Sequence, residues 1–139
     1  MENYTMKIYD ISQEVFSCQV YPDDPCPEKK ILKSMEKGEL YNLTPFNMCV
    51  HNGTHIDAPF HFVKDGKTVD EICLESLVGM AYVAEHCGIV TRDDAEEIIE
   101  KAKKQNTEGA KRILLKGDAE VSLEAAKLFA SSDVLLLGN

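Results

Sequence analysis

Between Thr91 and Lys104 the apolar residues Ala95, Ile98, Ile99 and Ala102 recur at i, i+3, i+4 and i+7, the spacing that lines one face of a helix. Thr91 is a good N-cap with Asp94 three residues on, so a helix is predicted to start there. Asp93, Asp94, Glu96 and Glu97 then fall in the first turns, where the positive end of the helix dipole favours them; they read as a solvated face, not a cation site. Elsewhere the pattern alternates shorter elements. Met6–Ile11 is predicted as a strand, and Pro27–Lys37 as a helix with a proline at its start and Gly38 as its stop. Leu40–Val50 is extended, and Gly79–Val90 is a strand bent at Gly88. Lys111–Lys116 is a buried strand around Ile113-Leu114-Leu115. Ser122 caps a helix reaching Ala130, and the Leu-rich run after Asp133 is a final buried strand. These elements predict a mixed α/β class: a strand-rich single domain over residues 1–139, with a mixed β-sheet or barrel-like core flanked by helices.

The extended stretch before position 50 runs directly into the densest chemistry of the chain. Three of the four histidines fall between positions 51 and 61, as His51, His55 and His61, with Asp57 among them. All four positions are odd and would share one face of a strand, but at about 3.3 Å per residue a straight strand separates its ends by roughly 33 Å. A straight helix pairs His51 with His55 and turns Asp57 and His61 away, and Pro59 opposes a helix interior. The segment must bend for the side chains to meet. Gly53 permits an unusual backbone angle, and Pro59 stops regular pairing. Imidazoles beside a carboxylate suit Zn²⁺, Mn²⁺ or Fe²⁺, and three protein ligands leave positions open for water or substrate.

The pattern His51-x-Gly53-Thr54-His55-x-Asp57-x-Pro59-x-His61 resembles the signature of the cyclase family, metal-dependent amide hydrolases that include kynurenine formamidases and isatin hydrolases. Tyr9-Asp10-Ile11-Ser12 and Tyr21-Pro22-Asp23-Asp24-Pro25 are similar to the family's opening strand and its Pro-Gly-Asp-Pro loop, with Asp23 where glycine is usual. Phe62–Ile72 and Leu77-Val78-Gly79 extend the likeness, so it covers most of the chain. The resemblance implies that His51, His55 and Asp57 hold a metal, that Asp57 bridges to a second ion where one is present, and that His61 is the proton donor and acceptor. It places Tyr21 against the substrate. It also implies a further histidine and glutamate from a segment after Asn139, so the C-terminal portion of the family domain is expected to be absent. Zn²⁺ is the first choice of cofactor and Mn²⁺ the second.

The expected activity is hydrolysis of a small-molecule amide, an aryl formamide or cyclic amide, with water activated by the metal and a histidine acid and base. Two alternatives stand beside it: a shortened member that binds metal or a partner without turnover, and a non-haem Fe²⁺ oxygenase, whose facial triad has the same ligand types. His86, alone in Ala84-Glu85-His86-Cys87, reads as an ordinary packed or surface histidine, and Cys49 as a buried structural thiol. No family match assigns His86, Glu120 or Glu124 to the metal.

Composition narrows the partners. A net charge of −9 disfavours nucleic acid, and the lysines at 101, 103 and 104 answer a helix dipole instead. No apolar run approaches the roughly 20 residues that span a bilayer, and the first residues carry no signal pattern. Five cysteines, at 18, 26, 49, 73 and 87, form no paired motif, which predicts reduced thiols and a cytoplasmic location. The resemblance and the uncovered apolar surface of a short chain predict a homo-oligomer.

Overall fold

The computed structural model describes residues 6–139, which divide into two compact units, one ending at Val69 and one spanning Asp70–Asn139. The first is built from a hairpin and turns. Strand β1 (Glu28–Lys29) pairs antiparallel with β2 (Phe46–Asn47), and the pairing continues through the bond from Leu32 N–H to the Leu43 carbonyl, 2.9 Å, and a bridge between Lys33 and Leu43. A 3-10 turn at Met35–Lys37 reverses the chain and ends at Gly38, whose φ is +85°. Phe16 packs edge-on to Phe46, with ring centroids 6.2 Å apart.

Two expectations fail in this unit. Pro27–Lys37 is not a helix, although Gly38 does stop the turn. Ile31, Leu32 and Met35 remain exposed, so a helical apolar face would have had nothing to bury, and the backbone groups pair across to 43–47 instead. Met6–Ile11 is exposed and has no ladder partner among the described residues, and an extended segment is a strand only when another chain segment satisfies its backbone.

The second unit carries the core. After a single turn, α1 (Leu74–Leu77), strand β3 (Tyr82–Glu85) leads to β4 (Gly88–Val90), helix α2 (Arg92–Gln105), β5 (Arg112–Lys116), β6 (Ala119–Val121), α3 (Leu123–Ala130) and β7 (Leu136–Gly138). β3, β5 and β7 form a parallel sheet in that order, and β4 pairs in parallel with β6. Helices connect these strands because a parallel neighbour needs a crossover. Gly88, at φ +82°, is the predicted bend between β3 and β4, and Gly117, at φ +129°, makes the matching break between β5 and β6.

Helix α2 follows its sequence closely. The Thr91 hydroxyl accepts from the Asp94 N–H and the Asp94 carboxylate accepts from the Thr91 N–H, a reciprocal capping box. Ala95, Ile98, Ile99 and Ala102 are its buried residues, and the acidic side chains face solvent, Glu97 pairing with Lys101 at 2.6 Å. Ser122 Oγ caps α3 by accepting from Ala125 N–H. Ala125 and Phe129 join Ile98, Ile99, Ile113 and Leu115 in one apolar cluster. The class is therefore mixed α/β, as expected, but the strands lie in separate short sheets and none of them closes into a barrel among the described residues.

Candidate metal centre

The bend required of residues 51–61 is present, and each half has a local cause. At the front, Asn52 N–H donates to the Cys49 carbonyl at 3.1 Å and Gly53 takes φ +67°. A side chain at Gly53 would meet Val15 Cγ2 at 3.3 Å, and Thr54 Oγ1 accepts from Gln13 N–H at 2.8 Å, so residues 13–15 brace the back of the turn. At the rear, Pro59–His61 forms a 3-10 turn with Pro59 at its start, where a missing N–H does no harm. Gly66 is pressed against it: a Cβ there would lie 2.7 Å from the Pro59 carbonyl carbon.

These turns bring three predicted imidazoles together around Asp57. His51 Nδ1 lies 2.7 Å from Asp57 Oδ1, and His55 Nε2 lies 3.5 Å from the same oxygen. The His51 ring stands 5.3 Å from the His55 ring and 4.0 Å from the His61 ring, centroid to centroid. His51, Asp57 and His61 each offer a ligand atom within 4.8 Å of the others. His55 Nδ1 faces the Gly53 carbonyl at 2.8 Å; a proton held there leaves Nε2 as a lone pair toward Asp57.

The donor set fits a divalent cation. Ligands about 2.0–2.2 Å from one ion, in tetrahedral or octahedral array, stand about 2.8–3.6 Å apart, which the 2.7 and 3.5 Å separations approach. A ligating imidazole whose second nitrogen is tied to a backbone carbonyl, as His55 is, has its ring orientation and tautomer set in advance. The half-buried His51 and the exposed His61 leave the group open to solvent on one side.

Tyr21 is exposed at the start of a turn, its carbonyl accepting from Asp24 N–H at 3.1 Å, and no hydrogen bond or ring contact joins it to the histidines among the described residues. Asp23, where the resemblance expects glycine, has φ +72°, a left-handed angle that aspartate tolerates better than most residues. The Cys49 thiol is half-buried and points to Asp24 Oδ2 at 3.6 Å, and His86 Nε2 faces the Ile89 carbonyl at 3.3 Å. All five cysteines are free. Sequence reasoning passed over Asn52, although Asn-Gly is a turn signal. It also passed over Gly66, whose close approach to Pro59 leaves no local trace.

A cluster of imidazoles and one carboxylate on a bent segment, in a mixed α/β chain, defines a candidate metal site of the kind that resemblance to the cyclase family implies. The chain belongs to that family, whose model matches residues 9–138. Among curated relatives, the kynurenine formamidase of Bacillus anthracis is 35% identical over 114 residues, covering 81% of this chain and 52% of the relative. Those of Bacillus mycoides (33% over 115 residues; 81% and 52%) and Bacillus cytotoxicus (32% over 108 residues; 77% and 49%) are similar. The chain thus spans about half the length of the curated relatives it matches.

Proposed function

We propose that this protein is a metal-dependent hydrolase of a small aryl formamide. The observation that carries the reading is the convergence of His51 and His55 on one Asp57 oxygen, with the His61 ring tilted against that of His51. Relatives named kynurenine formamidase support the substrate class.

In this reading His51, His55 and Asp57 hold Zn²⁺, or Mn²⁺ in its place. The cation, when bound, supplies Lewis acidity that acidifies water toward neutral pKa and polarises a carbonyl. His61 does the proton work. Its imidazole takes a proton from the attacking water and returns it to the departing nitrogen, so that water and amide become acid and amine. Gly53 orients His55 through its carbonyl, and the Pro59 turn carries His61 on the side of His51. Tyr21 contributes an aromatic wall to the substrate. The same reading makes the protein a cytoplasmic homo-oligomer, supported by its free thiols and by exposed apolar side chains such as Leu40 and Phe62.

A second assignment has its own support: the His51, Asp57 and His61 ligand atoms also lie close enough for one ion. His55→Ala and His61→Ala separate the two when metal content and turnover of N-formylkynurenine are measured on the full chain. The first assignment expects His55→Ala to lose metal and His61→Ala to keep metal but lose turnover. Metal lost from His61→Ala and kept by His55→Ala would instead favour the second. Turnover that survives a chelator would end the metal-dependent reading in either form, and turnover absent from metal-loaded wild type would favour the binding-only alternative.

A further inference from the structure

Two polar side chains are buried among the described residues, Arg112 and Asn52. Arg112 is accounted for, since its guanidinium donates to the backbone carbonyls of Glu75, Ser76 and Met80. Asn52 is not. It is 2% exposed, and its Nδ2 is buried without a hydrogen-bond partner among the described residues. A leucine fills a similar volume without leaving a donor unused, so packing alone does not explain an amide here. What the amide supplies is an acceptor: Oδ1 takes the Cys49 N–H at 2.9 Å, while the Asn52 N–H goes to the Cys49 carbonyl at 3.1 Å. Only the oxygen can accept, which fixes the orientation of the amide.

These two bonds lock the turn from Cys49 to Asn52, and both imidazoles nearest Asp57 depend on it. His51 is inside the turn. Gly53 follows at φ +67°, and its carbonyl holds His55 Nδ1. We infer that Asn52 is a positioning residue, which sets the angle of His51 and the tautomer of His55 through the turn while touching neither metal nor substrate. The affinity part of this inference rests on the metal reading above; the tautomer part does not.

The test uses the full chain as wild type, Asn52→Ala and Asn52→Asp, the last keeping an oxygen for the Cys49 N–H. In metal-free protein, ¹⁵N spectra of the imidazoles find the His55 proton on Nδ1 in wild type and Asn52→Asp, and a mixture of both tautomers in Asn52→Ala. Zn²⁺ affinity, read by competition with a chromogenic chelator, falls about 10- to 100-fold in Asn52→Ala and stays within about threefold in Asn52→Asp. Because coupling is reciprocal, saturating Zn²⁺ also slows hydrogen exchange of the Cys49 amide in wild type, a measurement that needs no variant to fold. The inference is overturned if Asn52→Ala keeps both tautomer and affinity, if Asn52→Asp loses as much as Asn52→Ala, or if Zn²⁺ binds and leaves the Cys49 amide unchanged. Wild type that binds no Zn²⁺ overturns the metal reading instead, and the metal-free tautomer of Asn52→Ala still decides the role of Asn52.

Discussion

Gly53→Ala tests whether the left-handed turn at Gly53 holds the candidate metal centre together. At φ +67° an L side chain costs about 1–2 kcal/mol relative to glycine, from the clash of Cβ with its own backbone. The new methyl also meets Val15 Cγ2 at 3.3 Å, so Val15 must yield by a few tenths of an ångström. The stiffer unfolded chain of alanine offsets part of this, about 0.4–1 kcal/mol. The net loss expected is about 1 kcal/mol, read as a lower urea midpoint by tyrosine fluorescence and circular dichroism in metal-free buffer. Two companions divide the effect. Gly53→Asn should lose less, because asparagine visits the left-handed region more readily although its Cβ meets the same methyl. Adding Val15→Ala to Gly53→Ala should restore only the contact share. Zn²⁺ affinity should fall together with stability, since the Gly53 carbonyl aligns His55. A Gly53→Ala protein within about 0.5 kcal/mol of wild type, the range of ordinary surface changes, would refute the reasoning.

Three further outcomes are expected. Gly66→Ala, which drives a Cβ to 2.7 Å from the Pro59 carbonyl carbon, should destabilise by about 1–3 kcal/mol and reduce turnover by displacing His61, checked by denaturant melts and kinetics. Asp23→Gly should raise stability by up to about 1 kcal/mol, read as a higher urea midpoint, because it removes a left-handed non-glycine residue; a lower midpoint would count against the assignment of that turn. Thr91→Ala should cost about 1 kcal/mol at pH 7 through loss of the cap. The hydroxyl and N–H of Thr91 hold the Asp94 carboxyl below its ordinary range, so its contribution is fully present above that range and is lost as pH falls from there through the lower folded value. The gap between Thr91→Ala and wild type should therefore narrow as pH falls from above the ordinary aspartate range through the depressed folded value of Asp94.

Helix α2 was legible because everything that makes it is local. Thr91 and Asp94 cap each other across three residues, and the four apolar positions repeat with the helical period, so no distant contact is needed to specify them. The same holds for Ser122 and α3, for the Ile113-centred strand and for the bend at Gly88. Pro27–Lys37 misled because a proline start, a glycine stop and scattered apolar residues are compatible with a helix, while the pairing of Lys33 with Leu43 that displaces it is set outside the segment. Met6–Ile11 misled because its composition suits a strand, but strand identity lies in a partner.

For the site, residue types and spacing were enough to name His51, His55, Asp57 and His61 and to require a bend, since neither a straight strand nor a straight helix lets them meet. Spacing could not say how the bend is made. The bond from Gln13 to Thr54, the seat of Gly53 on Val15 and the press of Gly66 on Pro59 join residues far apart in sequence or packed too closely for any pattern to reveal. Local chemistry thus selected the donor atoms of this protein. Their common focus on Asp57 came from tertiary structure, because aiming side chains within a few ångströms of one another takes steric and hydrogen-bond constraints from outside the motif.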